Sequence, residues 1–298
     1  MPQHKELLGA DRLRELEDAV EALLLRGQRG SLRSIGAGEM TCVLSWQGFA
    51  CKRLPPIIDT TRLERHRELI LEYVDRLEAA GIAVLDTAVQ LTPRHGYAAA
   101  YVVQPQLERS TLLPVVMASM APGPARALAG MVFERVEWAA AAGIGLDANL
   151  SNWAVCDGRP LYIDVSTPML RDAAGRHRLD SDLFVSTMPV LLRGLVRRYF
   201  VKDLLDRYYV PRRVFENLIG DLPNSSLEAL TSPLLEDVNA RLSTPLTHAQ
   251  IESYRREDRL TWGLIRWSLR LERRWRRLVR DGNPPHLIPS YFRDAVDV

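Results

Sequence analysis

The sequence predicts an α+β chain in two lobes: a five-stranded sheet carrying one inserted helix, followed by a mainly helical half. Three observations carry that prediction. Short β-rich runs punctuated by glycine and proline fill residues 30–106, one long apolar stripe of helical period interrupts them after the third run, and helical periodicity dominates beyond residue 107. With 298 residues and 47% hydrophobic side chains, the chain has enough apolar surface for a substantial core and for two lobes.

The elements follow in order. Leu7, Leu8, Leu13, Leu16, Val20, Leu23 and Leu24 recur at helical spacing and Gly27 and Gly30 end the pattern, so residues 1–29 read as an N-terminal helical segment. Residues 30–106 read as the first lobe. Ser34 to Trp46 is strand, glycine turn, strand, with Gly36 and Gly38 in the turn. Gln47-Gly48 is a tight turn into a third strand, Phe49 to Leu54, which Pro55-Pro56 ends. Asp59 or Thr60 caps a helix over about 61–79 whose stripe is Leu63, Ile70, Val74 and Leu77. Strands over 82–91 and 97–104 flank a turn at Pro93-Arg94-His95-Gly96, and Gln104-Pro105-Gln106 marks the lobe boundary. Residues 107–298 read as the second lobe, with helices over 110–120 and 123–142 and strands at 153–155 and 161–163 around Asp157-Gly158. Helices fill about 181 to 281.

Composition excludes several classes. A net charge of +2 gives no strong pull toward nucleic acid or membrane. No apolar run reaches the roughly 18 residues of a membrane span, and no apolar signal core follows Met1, so the expectation is a cytoplasmic protein. Cys42, Cys51 and Cys156 are odd in number and fit no metal spacing, which predicts buried free thiols. The stretch 264–281 alternates arginines with Trp267, Leu271, Trp275 and Leu278, the pattern of a terminal helix with arginines in water.

The chemistry concentrates in Gly145-Leu146-Asp147-Ala148-Asn149-Leu150-Ser151-Asn152-Trp153 and Tyr162-Ile163-Asp164. Asn152 precedes one hairpin strand and Asp164 follows the other, so the two meet at the hairpin's open end. Both offer the oxygen ligands that Mg²⁺ prefers, and nucleotide phosphates can complete its shell. Asp147, on the loop before them, can accept a hydroxyl proton. Phosphoryl transfer also needs a cation on the α/β-phosphates. Of 39 basic residues only Lys5, Lys52 and Lys202 are lysine, so a lysine in the third strand is a pointed choice. Glu64, Glu68 and Glu72 on the following helix are candidates to hold its ammonium, with Glu68 favoured, and Gly36 and Gly38 let backbone approach phosphates.

In this order and spacing the chain resembles the protein-kinase-like superfamily over roughly residues 30–190, and within it the small-molecule branch of aminoglycoside and choline phosphotransferases. The resemblance implies a two-lobed kinase-like fold with a five-stranded antiparallel sheet plus helix, and ATP and Mg²⁺ as cofactors. It implies nucleotide contacts from Gly36, Gly38, Lys52, Glu68 and a hinge from Gln104 to Leu107, a catalytic Asp147, and metal ligands Asn152 and Asp164. The expected activity is phosphorylation of a hydroxyl on a small-molecule acceptor, such as a natural product or antibiotic, with no nucleic acid or membrane partner. Gly145 stands where the family has histidine, Asp164-Val165-Ser166 replaces the usual metal triplet, and Thr41 replaces the third loop glycine. Gly145 and the altered triplet motivate one rival, a pseudokinase that acts as a binding or scaffolding module; a second rival keeps the fold but transfers AMP.

Overall fold

The computed structural model describes residues 6–37, 42–55, 59–180, 205–260 and 263. Helix α1 (Ala10–Arg26) ends at Gly27, whose φ of +70° is the left-handed C-cap that a residue without Cβ adopts without strain. Strands β1 (Arg33–Ala37), β2 (Cys42–Trp46) and β3 (Phe49–Arg53) follow, then α2 (Thr60–Ala79), then β4 (Ala88–Arg94) and β5 (Tyr97–Pro105). The sheet runs β1-β2-β3-β5-β4 and every neighbouring pair is antiparallel. Asp59 caps α2 as expected, accepting from Thr61 N at 2.9 Å and Arg62 N at 3.4 Å.

The sheet separates two apolar layers by its period of two. Tyr101 and Val103 of β5 join Leu44 and Cys51 under Leu13, Leu16 and Val20 of α1. Ala100 and Val102 face the other way, toward Leu63, Ile70, Tyr73 and Leu77 of α2. That second layer continues into the helical half: α3 (Leu113–Ala118), α4 (Pro122–Ala141), α5 (Pro211–Asp221), α6 (Thr231–Asn239) and helical residues 248–260. Phe133 of α4 and Phe215 of α5 meet edge to face there, with centroids 5.4 Å apart.

Several boundaries differ from the sequence reading. The strand expected over 82–91 begins only at Ala88, because residues 83–85 bond elsewhere. Tyr162 N donates to Ala83 O at 2.8 Å and Leu85 N donates to Tyr162 O at 2.9 Å, so this stretch ties the sheet-bearing half to the hairpin of the second half. Pro93 lies inside β4 rather than in the turn; β4 is an edge strand, where a missing N–H is tolerated. The helix expected over 110–120 divides into a single 3-10 turn (Arg109–Thr111) and α3, with Pro114 in the first turn of α3. Cys42 and Cys51 are buried free thiols, whereas Cys156 is exposed at the hairpin tip. The helices expected within 181–204, the arginine-rich 264–281 stretch, Gly38 and Thr41 lie outside the described residues.

Candidate active site

The site is built on a hairpin. Strands β6 (Trp153–Cys156) and β7 (Arg159–Tyr162) pair with Trp153 opposite Tyr162. Asp157 and Gly158 make the tight turn with φ of 50° and 73°. Trp153 and Tyr162 stack edge to face with centroids 5.0 Å apart, anchoring the open end in the core. Ile163 N donates to Asn152 O at 3.0 Å, extending the ladder by one step. This brings Asn152 alongside the segment that carries Asp164.

Asp147 lies five residues upstream, on a loop folded against the same end. Asn152 closes the 3-10 turn Leu150–Asn152, and its Nδ2 donates to Asp147 O at 3.2 Å. Asn149 N and Asn217 Nδ2 donate to Asp147 Oδ1 at 3.3 and 3.5 Å. Lys52, reaching from β3 of the five-stranded sheet, donates Nζ to Asp164 Oδ1 at 3.0 Å. Ser166 adds two donors to the same oxygen, Oγ at 2.9 Å and N at 3.3 Å.

The pKa values of the two carboxyl groups are shifted in opposite directions. Burial raises the Asp147 pKa to about 6, and the negative charge of Asp164 adds to the rise. Burial pushes Asp164 upward too, but the Lys52 charge and hydrogen bonds from Lys52 and Ser166 outweigh it and hold the group below the usual carboxylate range. Asp164 is therefore the permanent anion, and Asp147 takes or releases a proton near neutral pH. Such a split is what separates a charge-holding carboxylate from a general base.

Gly145 explains itself sterically. A Cβ there would lie 2.7 Å from Met169 Cβ and 2.9 Å from the Tyr209 ring, so only glycine fits. Its N–H donates to Met169 O at 3.0 Å and its carbonyl accepts from Tyr73 Oη at 2.9 Å. Where the resemblance expects an orienting histidine, the loop is held by one backbone bond to Met169 and by the Tyr73 hydroxyl from α2.

Lys52, Asp147, Asn152 and Asp164 thus converge. The remaining candidates do not join them by any hydrogen bond or ion pair among the described residues. Glu68 is exposed on α2, and the lysine meets Asp164 instead; the inward positions of the helix carry Leu63, His66, Ile70, Tyr73 and Leu77. Glu64 pairs with Arg67 at 2.7 Å, and Glu72 accepts from Arg178 at 2.7 Å. Gly36 sits in β1 rather than in a turn, and a Cβ there would make only ordinary 3.7 Å contacts with Val43. Gln104 is buried and donates Nε2 to Thr87 Oγ1 at 2.9 Å, while Leu107 is half-buried just after β5. Sequence reasoning missed Asn217, Tyr73 and Ser166. Only Ser166, two residues after Asp164, carried a local signal.

The fold and site define an α+β protein with two carboxylates and an amide gathered at a hairpin mouth beneath a strand lysine. Residues 16–273 match the family of unknown function DUF6206, and the chain belongs to that family. None of the curated proteins matches the chain. Among the described residues no helix is long and apolar enough to cross a membrane.

Proposed function

We propose that this protein is an ATP- and Mg²⁺-dependent phosphotransferase acting on a hydroxyl of a small molecule. The observation that carries the proposal is the Lys52–Asp164 ion pair between β3 and the segment after β7, with Asn152 on the neighbouring hairpin segment and Asp147 on the adjoining loop. A five-stranded antiparallel sheet with one helix inserted after its third strand also agrees with the resemblance to small-molecule kinases.

The donor set fits magnesium, since Asn152 and Asp164 offer an amide oxygen and a carboxylate. Those two residues would hold the ion, which when bound screens phosphate charge. Lys52, whose single ion pair is with the partly exposed Asp164, would hold the α/β-phosphates. Asp147 orients the acceptor hydroxyl and takes its proton, a role suited to a carboxylate whose pKa is about 6.

Asp147→Asn should lower phosphoryl transfer by about 10²–10⁴-fold while ATP still binds. Turnover of the variant at the wild-type rate, with product mass reporting added phosphate, contradicts this reading; an added AMP mass establishes nucleotidyl transfer instead. One observation favours a second reading, a nucleotide-binding module without transfer: α2 supplies no carboxylate to Lys52. In that case Mg²⁺ and ATP stabilise the chain, and no acceptor ever gains mass.

A further inference from the structure

Asp147 does not stand alone behind its loop. A hydrogen-bond chain reaches it from helical residues 248–260 and from the turn before α5. Arg207 Nη1 donates to Tyr254 Oη at 2.8 Å, Tyr254 Oη donates to Asn217 Oδ1 at 2.7 Å, and Asn217 Nδ2 donates to Asp147 Oδ1 at 3.5 Å. The direction of this chain is fixed by chemistry. A guanidinium has no acceptor, so Arg207 can only donate. Tyr254, once it accepts from Arg207, turns its own proton to Asn217; the alternative acceptor, Asp258 Oδ1, lies at 3.5 Å. The Asn217 carboxamide then presents its carbonyl to Tyr254 and its N–H to Asp147, and the opposite flip would face oxygen against oxygen. Chains polarised in one sense strengthen each link.

The chain also selects one oxygen. Both donors to the Asp147 side chain, Asn149 N and Asn217 Nδ2, fall on Oδ1. Among the described residues nothing donates to Oδ2, and that oxygen is the one left for an incoming hydroxyl. Asn217 is itself buried on α5 with Tyr254 and Arg207 half-buried behind it, so water does not compete freely for the contact. The Asn217–Asp147 contact is long, as such contacts often are before substrate arrives.

We infer that Asn217, fixed by Tyr254 and Arg207, is the positioning residue that clamps Asp147 Oδ1 and leaves Oδ2 to the acceptor hydroxyl. The inference rests on the proposed phosphotransferase reading and adds a residue to it. Its role is orientation: Asn217 touches no reacting atom.

The test uses the full chain with MgATP, water serving as the acceptor. Asn217→Ala should lower phosphate release about a hundredfold, the scale of misplacing a reacting group by an ångström, with the KM for ATP unchanged. Tyr254→Phe, which keeps the ring, should lower it in the same direction, and the double variant should be no worse than Asn217→Ala alone. The side-chain amide signals of Asn217 in a ¹H–¹⁵N spectrum should move in both Asp147→Asn and Tyr254→Phe. Wild-type phosphate release by Asn217→Ala, or Asn217 signals indifferent to Asp147→Asn, overturns the inference. Failure of the phosphotransferase reading looks different: the wild-type chain itself releases no phosphate from MgATP while the Asn217 signals still respond to Asp147→Asn, and the role inferred for Asn217 falls with that reading.

Discussion

Lys52 and Arg53 are consecutive on β3 and face opposite sides of the sheet, and the protein holds the two cations in contrasting ways. Lys52 makes one 3.0 Å ion pair with Asp164, with the side chains 19% and 35% exposed. Arg53 is sealed beneath α1, making two hydrogen bonds of 2.9 and 2.6 Å to Glu17, with the side chains 1% and 0% exposed. Tyr101 and Tyr97 also donate to Glu17, the latter at 3.0 Å. A bidentate, fully buried pair with its lone pairs satisfied is fixed. A single contact in a partly wet cleft can be exchanged for a ligand. One strand therefore carries a locked charge on its back and an exchangeable one on its front, and locking the back holds β3, and so Lys52, in register against β5.

The contrast can be broken at its strongest point. Glu17→Ala leaves Arg53 buried without its carboxylate and should destabilise the fold by about 3–5 kcal/mol in chemical denaturation. A loss under about 1 kcal/mol would mean that the Arg53–Glu17 pair does not lock β3.

The Asp147 carboxyl has a folded pKa of about 6, above its unfolded value near 3.9. The folded chain therefore binds the extra proton between those values, and stability falls as pH rises from about 4 to 6, with the full penalty above. Asp147→Asn removes the ionisation, so it should stabilise the chain at pH 7 by about 1–3 kcal/mol and change little at pH 4. Equal melting shifts at both values contradict the raised pKa. His66 runs the other way: burial lowers its pKa to about 4, so its contribution is lost as pH falls from about 6.5 to 4, and the Asp147→Asn difference cancels it.

The smallest expected effect sharpens the contrast best. Lys52→Met should change stability by less than about 1 kcal/mol, since a partly exposed pair contributes little. The same variant should lose stabilisation by MgATP. A large loss of intrinsic stability would place Lys52 with Arg53, as a structural cation.

Much of this arrangement was legible in the sequence because it is local. The hairpin announced itself through Asp157-Gly158, and that turn fixes the pairing which brings Asn152 to Asp164. Lys52 stood out because the chain otherwise uses arginine. Features that depend on distant packing were not legible. Glu68 looked suitable because α2 bears glutamate at one-turn intervals, but which face turns inward is set by Leu63, Ile70, Tyr73 and Leu77 meeting the sheet. Residues 83–85 read as strand by composition, yet they bond to β7 at a separation of nearly eighty residues. Asn217 and Tyr254 reach Asp147 only through tertiary folding, and no spacing rule connects them. The glycine at 145, which departs from the kinase-like pattern the sequence resembles, is accounted for by Met169 and Tyr209 filling the space a side chain would need.

If Lys52, Asn152, Asp164 and Asp147 form a MgATP site, thermal unfolding of the full chain reports it most directly. ATP with Mg²⁺ at a hundredfold excess over Kd should stabilise the wild-type protein by about 2.7 kcal/mol, and ATP without Mg²⁺ by markedly less. Asp164→Ala should abolish the metal-dependent part. A wild-type melting curve unmoved by MgATP, or an Asp164→Ala variant that responds as the wild type does, would contradict the account.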